Sequence, residues 1–288
     1  MNSSTLRIAS FVIISACATL AFAQGKAPLP PTPDALKDVK PVLGMVKGDL
    51  SVAVTSAHPL TEAQWDAIAS LHARHFSFAE NALDDAGVDR LIAMDPLSVS
   101  INKSLLTGAG VAKFGQMKSL VLFSAMHIVK PTPEAKDAVS HHPAIESFAT
   151  DGAFGIEFVT APHLKSVDLK HGAADDKFVA LLANHPALER VRLWPKGYAT
   201  LTDASFASIA TIKTLKDLEV DLSVLTYNGG LNQLKNLPEL TTLDLKEAAI
   251  SDEDLAKLKA DLPKVKITFT PMTAAYRAQW DGWAAKRK

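Results

Sequence analysis

Short strand-like pairs of apolar residues, spaced two apart, return ten times along this chain at a nearly constant distance. Their first members are Val52, Phe76, Val99, Leu122, Phe148, Val167, Val191, Leu218, Leu243 and Ile267, with successive spacings of 24, 23, 23, 26, 19, 24, 27, 25 and 24. A unit of that length cannot bury its apolar face alone and must stack on like neighbours, so the period specifies a solenoid. Repeat scaffolds serve many partners, and the period names none of them.

Each unit alternates two periodicities. Apolar residues two apart, as in Leu240-Thr-Thr-Leu243-Asp-Leu245, mark a strand with one buried face. Apolar residues three and four apart mark a helix laid on that face, as in Trp65, Ile68 and Leu71 or Phe206, Ile209 and Ile212. Thr61, Asp84, Thr107, Thr202, Thr226 and Ser251 stand where helix N-caps belong, and Thr61 with Gln64 fits a capping box. Pro133 after Thr132 fits the first helical position, and prolines 96, 143, 162, 186, 238 and 263 separate helix from strand. Strand, turn, helix, turn makes successive strands parallel, with all helices on one side.

The unit resembles the leucine-rich repeat family. Leu164-Lys-Ser-Val167-Asp-Leu169, Leu188-Glu-Arg-Val191-Arg-Leu193, Leu215-Lys-Asp-Leu218-Glu-Val220 and the Leu240 segment carry the resemblance. Leu201-Thr202-Asp203 and Ile250-Ser251-Asp252 are similar to the ribonuclease-inhibitor-like and F-box-associated subtypes and to exported bacterial members. The resemblance implies an α/β solenoid with a parallel sheet on its concave side and helices on its convex side, used to bind proteins. The Asn or Cys that many members place after the strand is missing: Leu169-Lys-His-Gly and Leu245-Lys-Glu-Ala stand there instead. Ser124 and Thr150 occupy strand positions expected to be apolar, and the 19-residue spacing before Val167 leaves room for about one helical turn, from Phe154 to Val159.

Residues 1–23 read as an export signal: Arg7 and the amino terminus, an apolar run from Ile8 to Leu20, then Ala21-Phe22-Ala23 before Gln24. A membrane anchor is disfavoured, because the run is shorter than the ~20 residues a bilayer span needs. Ile14-Ser15-Ala16-Cys17 resembles a bacterial lipoprotein cleavage motif, but the chain stays apolar through Phe22, an odd start for a mature lipoprotein. The expected product is secreted or periplasmic after cleavage near Ala23. It has no thiol, so its stability comes from its core. With 29 basic and 31 acidic residues it carries a net charge of −2, which argues against nucleic acid as a partner. The expected organisation is a signal at 1–23, a Pro-rich linker at 24–35, an N-terminal cap and first strand at 36–59, repeats at 60–270 and a capping helix at 271–288. In that helix Tyr276, Trp280 and Trp283 form one stripe, read as cover for the last strand rather than as an aromatic ligand box.

No catalytic constellation emerges: there is no Gly-x-Ser-x-Gly elbow, no mature cysteine and no Gly-rich phosphate loop. Among nine histidines, His141, His163 and His185 recur in the turn before a strand, which reads as a repeat position rather than a metal site. No cofactor and no metal are expected. The informative polar residues alternate with the buried strand positions and so face away from the helices. They include Asp168 and Lys170; Arg190, Arg192 and Trp194; Asp217, Glu219 and Asp221; Asp244 and Lys246. Stacked in order, they place a basic row flanked by an aromatic beside a triply acidic row, a candidate face for a protein or other macromolecule. On this reading, replacing Arg192 and Trp194 together weakens binding and hardly changes the melting temperature. The alternatives are a structural lipoprotein held at Cys17 and an envelope enzyme acting on polysaccharide, built on a parallel β-helix without α-helices.

Overall fold

Parallel strand pairing places the apolar pairs directly beside one another. The computed structural model describes residues 28–127, 142–151, 160–195 and 201–286. The signal, Cys17, the Thr132–Pro133 helix start, His141 and the Phe154–Val159 turn lie outside them. The unit from Pro31 onward contains one sheet of eleven strands in sequence order: β1 (Val42–Val46), β2 (Asp49–Ser56), β3 (His75–Glu80), β4 (Ser98–Asn102), β5 (Leu122–Met126), β6 (Ser147–Thr150), β7 (Ser166–Lys170), β8 (Arg190–Trp194), β9 (Asp217–Asp221), β10 (Thr242–Ala248) and β11 (Lys266–Pro271). From β2 onward every neighbouring pair is parallel. Among the described residues, the α-helices between them are α1 (Glu62–Ser70), α2 (Asp85–Met94), α3 (Gly108–Lys113), α4 (Asp176–Val179), α5 (Asp203–Ile209) and α6 (Asp252–Asp261), and α7 (Ala274–Ala285) follows β11. This is the α/β solenoid that the leucine-rich-repeat resemblance implies, and its helices rule out the β-helix architecture.

One inward row runs Val52, Phe76, Val99, Phe123, Phe148, Val167, Val191, Leu218, Leu243 and Ile267, each in register with the next. All but Ile267 are buried. The row corrects one position. Phe123 and Ala125, not Leu122 and Ser124, face the core of β5, so Ser124 lies on the outer face and its polarity needs no exception. Thr150 does point inward and is buried.

The N-terminal edge holds the one antiparallel pair among the described residues. Residues β1 and β2 form a hairpin through Lys47 and Gly48, whose φ values of 52° and 97° are both left-handed. That pair of angles fits the tight primed turn that joins twisted antiparallel strands. Val42 to Val46 does not alternate, so this strand, inside the segment expected to hold an N-terminal cap and the first strand, carries no periodic signal.

Helix starts follow the expected side chains. Thr61 and Gln64 form both bonds of a capping box, and Asp84, Thr107, Thr202, Ser251 and Thr273 each accept from a backbone N–H of the first turn. Thr226 does not cap; a 3-10 stretch, Leu231–Asn236, starts after Gly230 instead. Caps also tie one coil to the next. Asp85 in α2 accepts from the backbone N–H and hydroxyl of Thr107, and Asp176 does the same for Thr202. A Cβ on Gly110 would come within 2.0 Å of Asp85 Oδ1, so that tie requires glycine there.

Backbone bonds link the turns of neighbouring coils: Asn81 N–H donates to Ser56, Lys103 N–H to Met126 and Leu222 N–H to Lys246, at 2.8–2.9 Å. The Asn81 side chain adds a bond to the Ala57 carbonyl. A residue at or just beyond the strand end, as in Glu80, Lys103, His127, His171, Leu222 and Glu247, adopts a left-handed φ between 47° and 65°.

Two histidines act as rungs. His142-Pro-Ala-Ile-Glu and His185-Pro-Ala-Leu-Glu repeat one motif. In each, Nε2 meets a carbonyl of the preceding coil, Met117 or Ala161, at 3.1 Å, and Nδ1 accepts from the N–H two residues on. So the repeat position is His142 and His185; His163 is exposed. The bonding pattern fits neutral imidazole, and burial lowers both pKa values below 6.5 despite the carbonyl bonds. The unfolded chain therefore takes up protons first. Their contribution is complete above about pH 6.5 and is lost as pH falls toward the folded-state values. We expect the melting temperature of a His142→Gln/His185→Gln variant to depend less on pH than wild type between pH 7 and 5. Parallel curves would contradict this account.

α7 forms as expected, but none of its residues is buried. Tyr276, Trp280 and Trp283 are half-covered, with Tyr276 edge-on to Trp283 at 5.8 Å, and Ile267 and Phe269 of β11 stay partly exposed. Cover at this end is partial.

Candidate functional site

Strands β7 to β10 place every residue of the expected face on the side of the sheet away from the helices. Three rows result. Arg190 and Asp217 sit in register at the amino ends of their strands. Asp168, Arg192, Glu219 and Asp244 form the middle row. Lys170 pairs with Trp194, and Asp221 with Lys246, toward the carboxyl ends.

The middle row is a closed ionic network centred on Arg192. Its Nε lies 2.9 Å from Glu219 Oε1, its Nη2 2.7 Å from Asp221 Oδ2 and its Nη1 3.9 Å from Asp168 Oδ2. Lys170 holds Asp168 at 3.2 Å, and Lys246 holds Glu219 at 2.7 Å. Glu219 and Asp221 are 6% and 5% exposed, so these charges lie within the structure rather than projecting from it. Burial raises the pKa values of Asp168 and Asp221, against the pull of Lys170 and Arg192. Burial also works against the Arg192 charge, but its hydrogen bond to Asp221 and the charges of Asp168, Asp221 and Glu219 outweigh it and raise its pKa. This geometry corrects the expectation that Arg192 can be replaced at little cost to folding, because its loss leaves the buried Asp221 without an ion-pair partner and Glu219 with Lys246 alone. Asp244 takes a hydrogen bond from Thr268, and Arg190 is exposed.

One feature of this face remains open to a ligand. The Trp194 ring is half-buried, with Arg192 at 5.6 Å and Lys170 at 5.8 Å from its centroid. Oδ1 of Asp168 and Oδ1 of Asp221 are buried acceptors without a hydrogen-bond partner. A buried acceptor left unmade costs about 1–3 kcal/mol.

The sequence reading passed over a second cluster. His127 after β5, Asp151 after β6 and His171 after β7 each offer a ligand atom within 4.8 Å of the others. His127 N–H donates to Asp151 Oδ2 at 3.0 Å, His127 Nε2 lies 3.5 Å from the same oxygen, and Asn102 Oδ1 meets His127 Nδ1 at 3.1 Å. The His171 ring lies 5.6 Å from Trp194 and 6.1 Å from His127. The available signal was position: each residue is the first beyond its strand. The one-residue error in β5 and the short β6 hid that alignment.

No family model matches the chain, and no curated protein matches it. Solved structures do. An internalin from Listeria monocytogenes shares 14% identity at a TM-score of 0.46, over 75% of this chain and 59% of its own length. A leucine-rich-repeat protein from Leptospira interrogans shares 13% at 0.39, over 71% of this chain and 57% of its own. A TLR13–ssRNA13 complex shares 14% at 0.39, over 76% of this chain and 29% of that one. The chain thus spans less than two thirds of each, and likenesses at this level carry no functional argument.

Proposed function

We propose that this leucine-rich-repeat solenoid is an exported, non-enzymatic protein that binds another protein through the helix-free face of β7 to β10. The observation that carries the reading is the half-exposed Trp194 ring, flanked by Arg192 and Lys170 at 5.6 and 5.8 Å from its centroid. A polar or aromatic segment laid over the tryptophan would complete its cover. Tryptophan and arginine are the side chains that most often concentrate binding energy. The acidic groups are already compensated by Arg192, Lys170 and Lys246, so the face suits a mixed polar and aromatic contact rather than bulk charge attraction. Export rests on the residue 1–23 pattern. Among the described residues, no helix is long and apolar enough to cross a membrane.

The test is affinity purification of the chain from its native host, followed by mass spectrometry of its mature amino terminus and measurement of Kd for the partner. We expect a fragment beginning at Gln24, and a Trp194→Ala variant that binds about tenfold more weakly with a melting temperature close to wild type. Unchanged affinity would reject the face, and a lipidated Cys17 at the amino terminus would favour an anchored lipoprotein.

A further inference from the structure

Two imidazoles and a carboxylate meet where three adjacent strands end. We propose that His127, Asp151 and His171 form a binding site for a divalent transition-metal ion, with a position left open for water or an outside ligand.

Asn102 Oδ1 lies 3.1 Å from His127 Nδ1 and is placed to accept a hydrogen bond from it. In that tautomer the Nε2 lone pair is directed toward Asp151 Oδ2, 3.5 Å away. Two electron-rich atoms held that close favour a cation between them. A hydrogen bond to the far nitrogen of a metal-bound histidine is also the usual way proteins orient such a ligand. The Asp151 carboxylate is oriented in turn by the backbone N–H of His127 at 3.0 Å.

Donor chemistry narrows the ion. A lone carboxylate with water suits magnesium or calcium, whereas two imidazoles select zinc and its first-row neighbours. Bound zinc places its ligand atoms roughly 3.3 Å apart, so a cluster spanning 4.8 Å closes with modest side-chain rotation. Strand spacing supplies the third constraint. Parallel neighbours stand ~4.8 Å apart, so three consecutive strand ends bring their first following residues within reach of one ion. The left-handed turn at His127 and His171 is a feature of the repeat, shared with Glu80 and Lys103; only these coils put imidazole there. Of the described cations toward the β7 and β8 side, Lys170 and Arg192 are engaged by Asp168, Glu219 and Asp221. The His127 side chain is half-exposed while that of Asp151 is 7% exposed.

The test is calorimetric titration of untagged full-length protein with zinc chloride alone, with cobalt absorption as a spectroscopic readout. Wild type should show one saturable equivalent and a visible cobalt band. A His127→Gln/His171→Gln variant should bind at least 100-fold more weakly and lose the band. Asn102→Ala, which removes only a positioning contact, should weaken binding about tenfold. A His58→Gln/His72→Gln variant, altered only at remote surface histidines, should match wild type. Absence of a saturable one-to-one isotherm in folded wild type would overturn the site, and so would undiminished binding in the double variant at 127 and 171.

Discussion

Replacing Arg192 with methionine is expected to destabilise the fold by about 3–5 kcal/mol, because it leaves the buried Asp221 carboxylate without its ion-pair partner and Glu219 with Lys246 alone. The guanidinium bonds Glu219 and Asp221 at 2.9 and 2.7 Å and faces Asp168, and both partners in β9 are nearly inaccessible. Methionine keeps much of the packing volume and removes every donor. Urea unfolding followed by circular dichroism measures the loss. Arg190→Met, on the same strand but exposed, should stay within about 0.5 kcal/mol of wild type. A triple variant adding Glu219→Gln and Asp221→Asn should recover part of the loss, since it removes the stranded charges. A loss below about 1 kcal/mol for the single variant would show the network to be no stronger than surface pairing.

Leu243→Asp should have the second large effect. Leu243 is inaccessible and lies in register between Leu218 and Ile267. The change removes about 1.5–3 kcal/mol of apolar transfer and adds a buried carboxylate costing several kcal/mol more. Coils depend mainly on their neighbours, so the damage should propagate locally. Hydrogen exchange should show lost protection in β9 to β11 while β2 to β5 keep theirs. Lys264→Asp, on the exposed turn before β11, should leave exchange unchanged. Full protection of β10 in the Leu243 variant would mean the register is wrong.

Most of the core was legible because it depends on a period. Val52, Phe76 and Val99, and then Val167 through Ile267, could be placed by counting, and the pairing keeps them in line. Counting failed in β5, where Leu122, Phe123 and Ala125 offer two apolar alternations and only contact with Val99 and Phe148 selects the second. It failed again at β1, whose pairing comes from a turn rather than from alternation.

Helix caps were mostly legible for a local reason: a Thr, Ser or Asp bonds an N–H two or three residues on. Thr226 was the exception, since the segment after it enters its helical stretch only at Gly230. The outward face was legible as a list of residues but not as an arrangement. Rows read as exposed charge are an ionic network because Arg192 reaches both diagonally and directly across a strand gap.

By itself, then, the order of amino acids determined the coil length, the parallel stack from β2 onward and, outside β5, the side of the sheet its strand residues occupy, since all three follow from spacing within one unit. Only the tertiary structure decided which charges neutralise one another and that His127, Asp151 and His171 converge. Those partners lie some twenty to thirty residues apart, and coils of unequal length meet at the same strand end only once backbone pairing has set their register.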